Sequence, residues 1–193
     1  MCIASTSRGL QWLFVVSCCA AAMPAAAADH TCSLNANCLA QMDSDALDAL
    51  FRQGTAAAAP VGYGRGRTLL VVDANNPRRR AKLNNVVWKG KHFLPVGRMI
   101  NQWAVGRAVE ATVRIDPSWL DGQPCIYVDY PTNAPIFGNT RDEIREIAPG
   151  LYLGRFYERC PCPRLKGYFA LEMQCCSANH CSPQLSDAPP RLP

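Results

Sequence analysis

The sequence predicts a mainly β protein: a single antiparallel β-barrel with one N-terminal helix and one short internal helix. Three observations carry that expectation. Residues 107–115 alternate, with Val109, Ala111, Val113 and Ile115 on one face and Glu110, Thr112 and Arg114 on the other, the period of a sheet packed on one side. Seven or eight short segments of strand character are separated by turn signals. No alternating strand–helix rhythm joins them. Closing such a sheet removes its aggregation-prone edges, so a closed or nearly closed barrel is preferred over a two-sheet sandwich.

The 193-residue chain opens with Arg8, an apolar run from Leu10 to Val16 broken only by Gln11, and small residues as far as Ala28. That order describes a secretion signal, with Ala26 and Ala28 at the cleavage positions, so residues 1–28 are expected to be removed. The run is shorter than the ~20 residues a membrane-spanning helix needs, and no later segment reaches that length. Val15-Val16-Ser17-Cys18 offers a rival cut, a lipobox in which Cys18 would carry a lipid anchor. Of the 11 cysteines, Cys2, Cys18 and Cys19 precede Ala28, so cleavage there leaves an even eight, whereas lipidation at Cys18 leaves an odd nine. The even set favours a periplasmic or secreted protein over a lipid-anchored one.

Residues 29–60 read as a leader, a short helix and a linker. Cys32 and Cys38 suit a small disulfide loop. Asp43-Ser44-Asp45 supplies an N-cap and an acidic first turn, and Leu47, Leu50 and Phe51 recur at helical spacing before Gly54. Residues 61–175 are the expected barrel. Arg67 to Asp73 reads as a strand ended by the turn Asn75-Asn76-Pro77. Asn85 to Trp88 and His92 to Leu94 read as strands flanking Lys89-Gly90-Lys91 as a tight hairpin. Further strands are expected over Met99 to Val105, Arg107 to Ile115, Cys125 to Tyr130, Leu151 to Tyr157 and Tyr168 to Met173. Thr140 to Ile147 reads as the internal helix, with Thr140 and Glu143 as a capping box and Pro149-Gly150 as its stop. Residues 176–193 form a Cys- and Pro-rich tail.

The formal net charge is +5 with both signs interspersed, and the one concentrated basic run is Arg78-Arg79-Arg80 with Lys82. Beside Asn-Asn-Pro that run reads as a solvated turn, and no nucleic-acid partner is expected.

Trp88-Lys89-Gly90-Lys91, Ser118-Trp119-Leu120-Asp121-Gly122, Asp129-Tyr130 and the block from Arg141 to Gly154 follow one another in a distinctive order. With Leu47 to Phe51 and the glycine-rich stretch Pro60 to Gly66 upstream, the chain resembles an uncharacterised bacterial family of lipocalin-like proteins. The resemblance spans roughly Leu47 to Met173, and its most specific part is Arg141 to Gly154. It implies a small antiparallel barrel that holds an apolar ligand. It supplies no catalytic residues, and the cysteine-rich C-terminal region departs from the family pattern.

Each candidate group has a structural alternative. Cys160, Cys162, Cys175, Cys176 and Cys181, with His180, suit zinc or copper chemically. In an oxidising compartment disulfides are the default, so these five with Cys32, Cys38 and Cys125 are disulfide candidates, and no metal or other cofactor is expected. Arg141, Asp142, Glu143, Arg145 and Glu146 form either a carboxylate–arginine constellation at the barrel mouth or a capped surface helix, with one Arg free to turn inward to Asp129 or Glu172. Arg155 and Tyr157 share one face of a strand, either inside, where they would clamp a ligand's polar head, or on an exposed outer face. Trp88, Trp103 and Trp119, with Tyr127, Phe137, Tyr152 and Phe156, line a cavity or fill a core. No recognisable catalytic motif is present, and His92 has no evident partner.

The expected function is binding of a small apolar or amphipathic molecule. The site residues expected are Arg155, Tyr157, Trp88, Trp103, Asp129, Tyr130, Arg141 and Arg145. Two alternatives stand beside it: an enzyme using Asp129, Arg141, Asp142 or Glu143 in a pocket, and a structural protein of the cell envelope.

Overall fold

In a computed structural model, eight strands close into one antiparallel barrel: β1 Gly62–Val71, β2 Trp88–Leu94, β3 Arg98–Trp103, β4 Gly106–Pro117, β5 Pro124–Asp129, β6 Thr140–Ala148, β7 Leu151–Glu158 and β8 Arg164–Met173. Residues 34–134 and 136–174 are described. The expected signal, the Cys18 anchor, Cys32, Cys175, Cys176, His180, Cys181 and the Pro-rich tail lie outside them. Each strand pairs with its sequence neighbour, and β1 pairs with β8 to close the ring. No helix among the described residues is long and apolar enough to cross a membrane.

Among the described residues three helices accompany the strands: α1 Ala36–Leu39, α2 Ser44–Gln53 and α3 Pro77–Val87. Asp43 caps α2 by accepting the Ala46 N–H, as its sequence requires. Leu47 and Phe51 are its buried face.

Period-two alternation sorts the side chains into two cores. Phe93, Met99, Ala111, Val113, Ile126, Val128, Ile144, Tyr152, Phe169 and Leu171 cluster in the interior. Leu39, Leu47 and Phe51 of the helices pack with Leu69, Leu70, Cys125, Leu151, Leu153, Tyr168 and Ala170 on the outer face. One flank of the barrel is therefore buried on both sides. Along β6 the inner positions are Asp142 and Ile144, the outer ones Arg141, Glu143 and Arg145, and all five are buried.

That double burial corrects the expected internal helix. Thr140 to Ala148 is a strand between β5 and β7, and Thr140 and Glu143 form no capping box. Propensity and local capping were overridden by two neighbouring strands. Because both faces are buried, the segment shows no apolar alternation to announce itself. Pro149-Gly150 is the turn to β7, with Gly150 at φ 71.

The internal helix lies elsewhere. Asn76, expected in a turn, accepts the Arg79 N–H as an N-cap, and Pro77 occupies the first helical position. Arg78, Arg79 and Arg80 thus lie on α3 rather than in a turn, and Arg78 donates to the carbonyls of Ala40, Gln41 and Met42. Asn85 to Val87 end this helix instead of forming a strand.

Lys89-Gly90-Lys91 is not a hairpin either: all three lie within β2, and the turn to β3 falls at Pro95 to Gly97. Gly90 sits at φ 140 beside a register shift, and a Cβ there would stand 2.1 Å from the Gly64 carbonyl oxygen. The glycine marks a bulge where two backbones approach closely.

Candidate functional site

A cavity of about 450 Å³ opens at one end of the barrel. That volume falls within the range of about 300–1,000 Å³ usual for small-molecule sites. Its apolar wall comes from Val87, Trp88, Trp103, Phe137, Phe156 and Phe169. The β8 strand delivers Phe169 inward across Gly154, where any Cβ would stand 2.1 Å from the ring. Trp88 meets Phe169 edge-on at 5.5 Å between centroids, and Trp103 and Tyr130 both approach Phe137.

The cavity's deep polar wall is a single cluster. Lys91 Nζ lies 2.7 Å from Asp142 Oδ2, 2.6 Å from Tyr130 Oη and 3.2 Å from Asn101 Oδ1. Tyr130 donates to Asp142 Oδ2 at 2.9 Å, and the Trp88 indole N–H donates to Asn101 Oδ1 at 3.1 Å. Lys91 and Asp142 are 2 % and 4 % exposed. The rings of Trp88, Tyr130 and Phe169 stand 5.3–5.7 Å from the ammonium, close enough for cation–π attraction. Burial, and next the Asp142 carboxylate, push the Tyr130 hydroxyl well above the ordinary phenol range.

A second buried network lies on the outer face. Arg145 donates to the carbonyls of Phe51, Pro124 and Gln123 and makes two 2.8 Å bonds to Asp121. Glu143 accepts from the Ser118 hydroxyl, the Trp119 N–H and Arg141 Nε. Arg141 also reaches Asp116 and the Pro117 carbonyl, its guanidinium between the Trp119 and Tyr127 rings. This network fastens α2 and the segment from Asp116 to Gln123 onto the sheet.

The structure thus divides the expected site residues. Trp88, Trp103 and Tyr130 line the cavity; Tyr157 borders it, but its ring lies with Arg155 on the outer face of β7, edge-on to Trp119 at 5.2 Å. Arg141, Arg145 and Arg155 belong to the outer face. Arg155 lies 3.3 Å from Asp48 of α2, so it is outward as one reading had it, yet buried rather than exposed. Asp129 is at the barrel's edge, held by Arg114, Arg159 and Tyr127. Among the described residues no Arg lines the cavity. Sequence reasoning missed Lys91 and Asn101, and Asp142 entered it as a member of the charged block and as a pocket residue of the enzyme alternative, not as a ligand-binding residue. The available signal was a lysine inside a β-rich run between Trp88 and Phe93, obscured by reading Gly90 as a turn.

Cys125, an expected disulfide partner, is a fully buried thiol donating to the Asp116 carbonyl at 3.2 Å. Burial pushes its pKa up to about 12. Cys160 and Cys162 are exposed on the β7–β8 connection and are not bonded to another described cysteine. Among the described residues no three His, Cys, Asp or Glu side chains are grouped to hold a metal ion.

No family model matches the sequence, and no curated protein matches it. Among solved structures, the crystal structure of a protein from Thermomonospora curvata is similar, with a TM-score of 0.46 and 16% identity, covering 69% of this chain and 88% of that one.

Proposed function

We propose that this protein is a lipocalin-like carrier or receptor that holds one small amphipathic molecule inside its barrel. The observation that carries this reading is the cavity of about 450 Å³, walled by Trp88, Trp103, Phe137, Phe156 and Phe169, with the Lys91–Asp142 cluster among its polar lining. Burying the apolar part of a ligand there contributes about 25 cal/mol per Å² removed from water. An up-and-down ring of eight strands, the arrangement of single-ligand barrels, supports the same reading. The composition of residues 1–28 supports export to the periplasm or beyond.

A neutral apolar fluorophore, N-phenylnaphthylamine, tests this directly. Saturable binding with energy transfer from the cavity tryptophans is expected. Thr140→Trp, which places a large ring on the cavity wall at the start of β6, is expected to abolish binding while leaving the fold intact. Absence of saturable binding, or equal binding by both proteins, contradicts the proposal.

One observation favours a second reading, an enzyme. Asp142 is a buried carboxylate in the cavity wall, with a lysine and a tyrosine hydroxyl upon it. Chemical conversion of a bound ligand that is lost in Asp142→Asn would support that reading.

A further inference from the structure

The hydrogen-bond inventory of the inner cluster specifies what a ligand's polar group must be. A lysine ammonium has three N–H donors, and Lys91 directs its three to Asn101, Tyr130 and Asp142. The single Tyr130 hydroxyl proton goes to Asp142 Oδ2. Tyr130 Oη in turn accepts from Lys91 and from Asn101 Nδ2 at 3.2 Å. Asn101 spends its other amide hydrogen on the Val109 carbonyl at 3.5 Å, and its Oδ1 accepts from both Trp88 and Lys91. The Trp88 indole N–H is therefore committed as well.

Every donor in the cluster is used. What remains is acceptor capacity. Both donors to Asp142 arrive at Oδ2, and among the described residues no hydrogen bond reaches Oδ1. Asp142 lines the cavity and is 4 % exposed. A buried carboxylate oxygen favours a hydrogen-bond donor strongly.

Charge narrows the choice. Lys91 already stands against Asp142, so a ligand ammonium would have to share that carboxylate with a second cation a few ångströms away. A ligand carboxylate or carbonyl would bring only further acceptors to this cluster, whose N–H and O–H groups are all committed. The hydroxyls of Thr68 and Thr140 and the side-chain amide of Asn84 also line the cavity; each can donate or accept, so they do not discriminate. The remaining cation of the lining, Lys166, already faces Asp73 and Glu158 at 2.5 and 3.7 Å, which disfavours an anion there.

We infer that the site selects a neutral hydroxyl, an apolar alcohol or phenol, whose O–H donates to Asp142 Oδ1 while its hydrocarbon part lies against Trp88, Phe156 and Phe169. This rests on the ligand-binding reading above and narrows it. It also reverses the expectation, drawn from the sequence, that arginines would meet a polar head. Recognition is by an acceptor, and the arginines are structural.

The test uses the unmodified protein and three probes of equal chain length: decanol, decyl methyl ether and decanoate, titrated by calorimetry near neutral pH. Decanol supplies a donor, the ether keeps the oxygen without the donor, and decanoate supplies acceptors and a charge. Decanol is expected to bind at least about tenfold more tightly than either of the others, the scale on which an unsatisfied buried group is penalised. Equal or tighter binding of the ether or of decanoate overturns the hydroxyl assignment and leaves the ligand cavity standing. If none of the three binds, the cavity reading itself falls, and this inference with it.

Discussion

Lys91 Nζ and Asp142 Oδ2 stand 2.7 Å apart inside the barrel, joined by Tyr130 and Asn101 and almost entirely withdrawn from water. Two opposite charges in such a place stabilise the fold only as a pair. Removing either leaves the other buried without its partner, at a cost of about 3–5 kcal/mol. Lys91→Met and Asp142→Leu are each expected to lower stability on that scale in urea denaturation. The double variant is expected to recover most of the loss, since an apolar pair of similar volume is often neutral. It should still bind N-phenylnaphthylamine while losing any preference for decanol over its ether. A double variant as unstable as the sum of the singles would contradict the pairing.

Arg145 is fully buried and fastens α2 to the barrel through Phe51, Asp121, Pro124 and Gln123. Lysine cannot reproduce that fork of bonds, having three donors and no planar geometry. Arg145→Lys is expected to cost about 3 kcal/mol without weakening binding of N-phenylnaphthylamine, because the side chain is on the opposite face of β6 from the cavity. Ligand affinity falling with full retention of stability would place Arg145 in the site after all.

Much of the barrel was legible, β4 from its alternation and β5, β7 and β8 as short β-prone runs bounded by turn signals. The errors cluster where alternation is silent. β6 is buried on both faces and filled with paired charges, so its residues resemble a capped polar helix. β2 carries a bulge at Gly90, which resets the alternation and resembles a turn. These two strands supply Asp142 and Lys91, so the errors in secondary structure also concealed the inner cluster. The aromatics were legible only as a mixed set with two readings, cavity or core: Trp88, Trp103, Phe137 and Phe156 line the cavity, while Trp119 and Tyr127 flank Arg141 on the outer face. Their division from the arginines was not, because which face of a strand is inside depends on ring closure and on what α2 covers.

Asp121 gives the fold an acid-sensitive catch. The hydrogen bonds from Arg145 hold its carboxyl below its ordinary value of 3.8, against the opposing effect of burial. A carboxylate depressed on folding adds stability that is present above the ordinary value and is lost as pH falls through the folded one. Asp121→Asn should therefore be less stable than the natural protein near neutrality, with the gap closing below about pH 4. Thermal melts across that range would show it; a gap that stays constant down to about pH 2 would contradict the assignment.

Cys125 is buried against the Asp116 carbonyl, and its thiol is pushed up to about 12. The thiolate is the reactive form, so the native protein should leave Cys125 unmodified by iodoacetamide at neutral pH and expose it only after unfolding. Peptide mass mapping before and after denaturation reads this outcome. Rapid native alkylation at Cys125 would mean that the outer face opens readily.

Native mass spectrometry of the protein recovered from the organism that makes it, followed by denaturing mass spectrometry of the same sample, addresses the central claim most directly. The expected result is a native mass above that of the chain by one small organic molecule, released on denaturation and carrying a hydroxyl on an apolar skeleton. A native mass equal to the chain alone would contradict the carrier reading, and a released fatty acid would contradict hydroxyl recognition by Asp142.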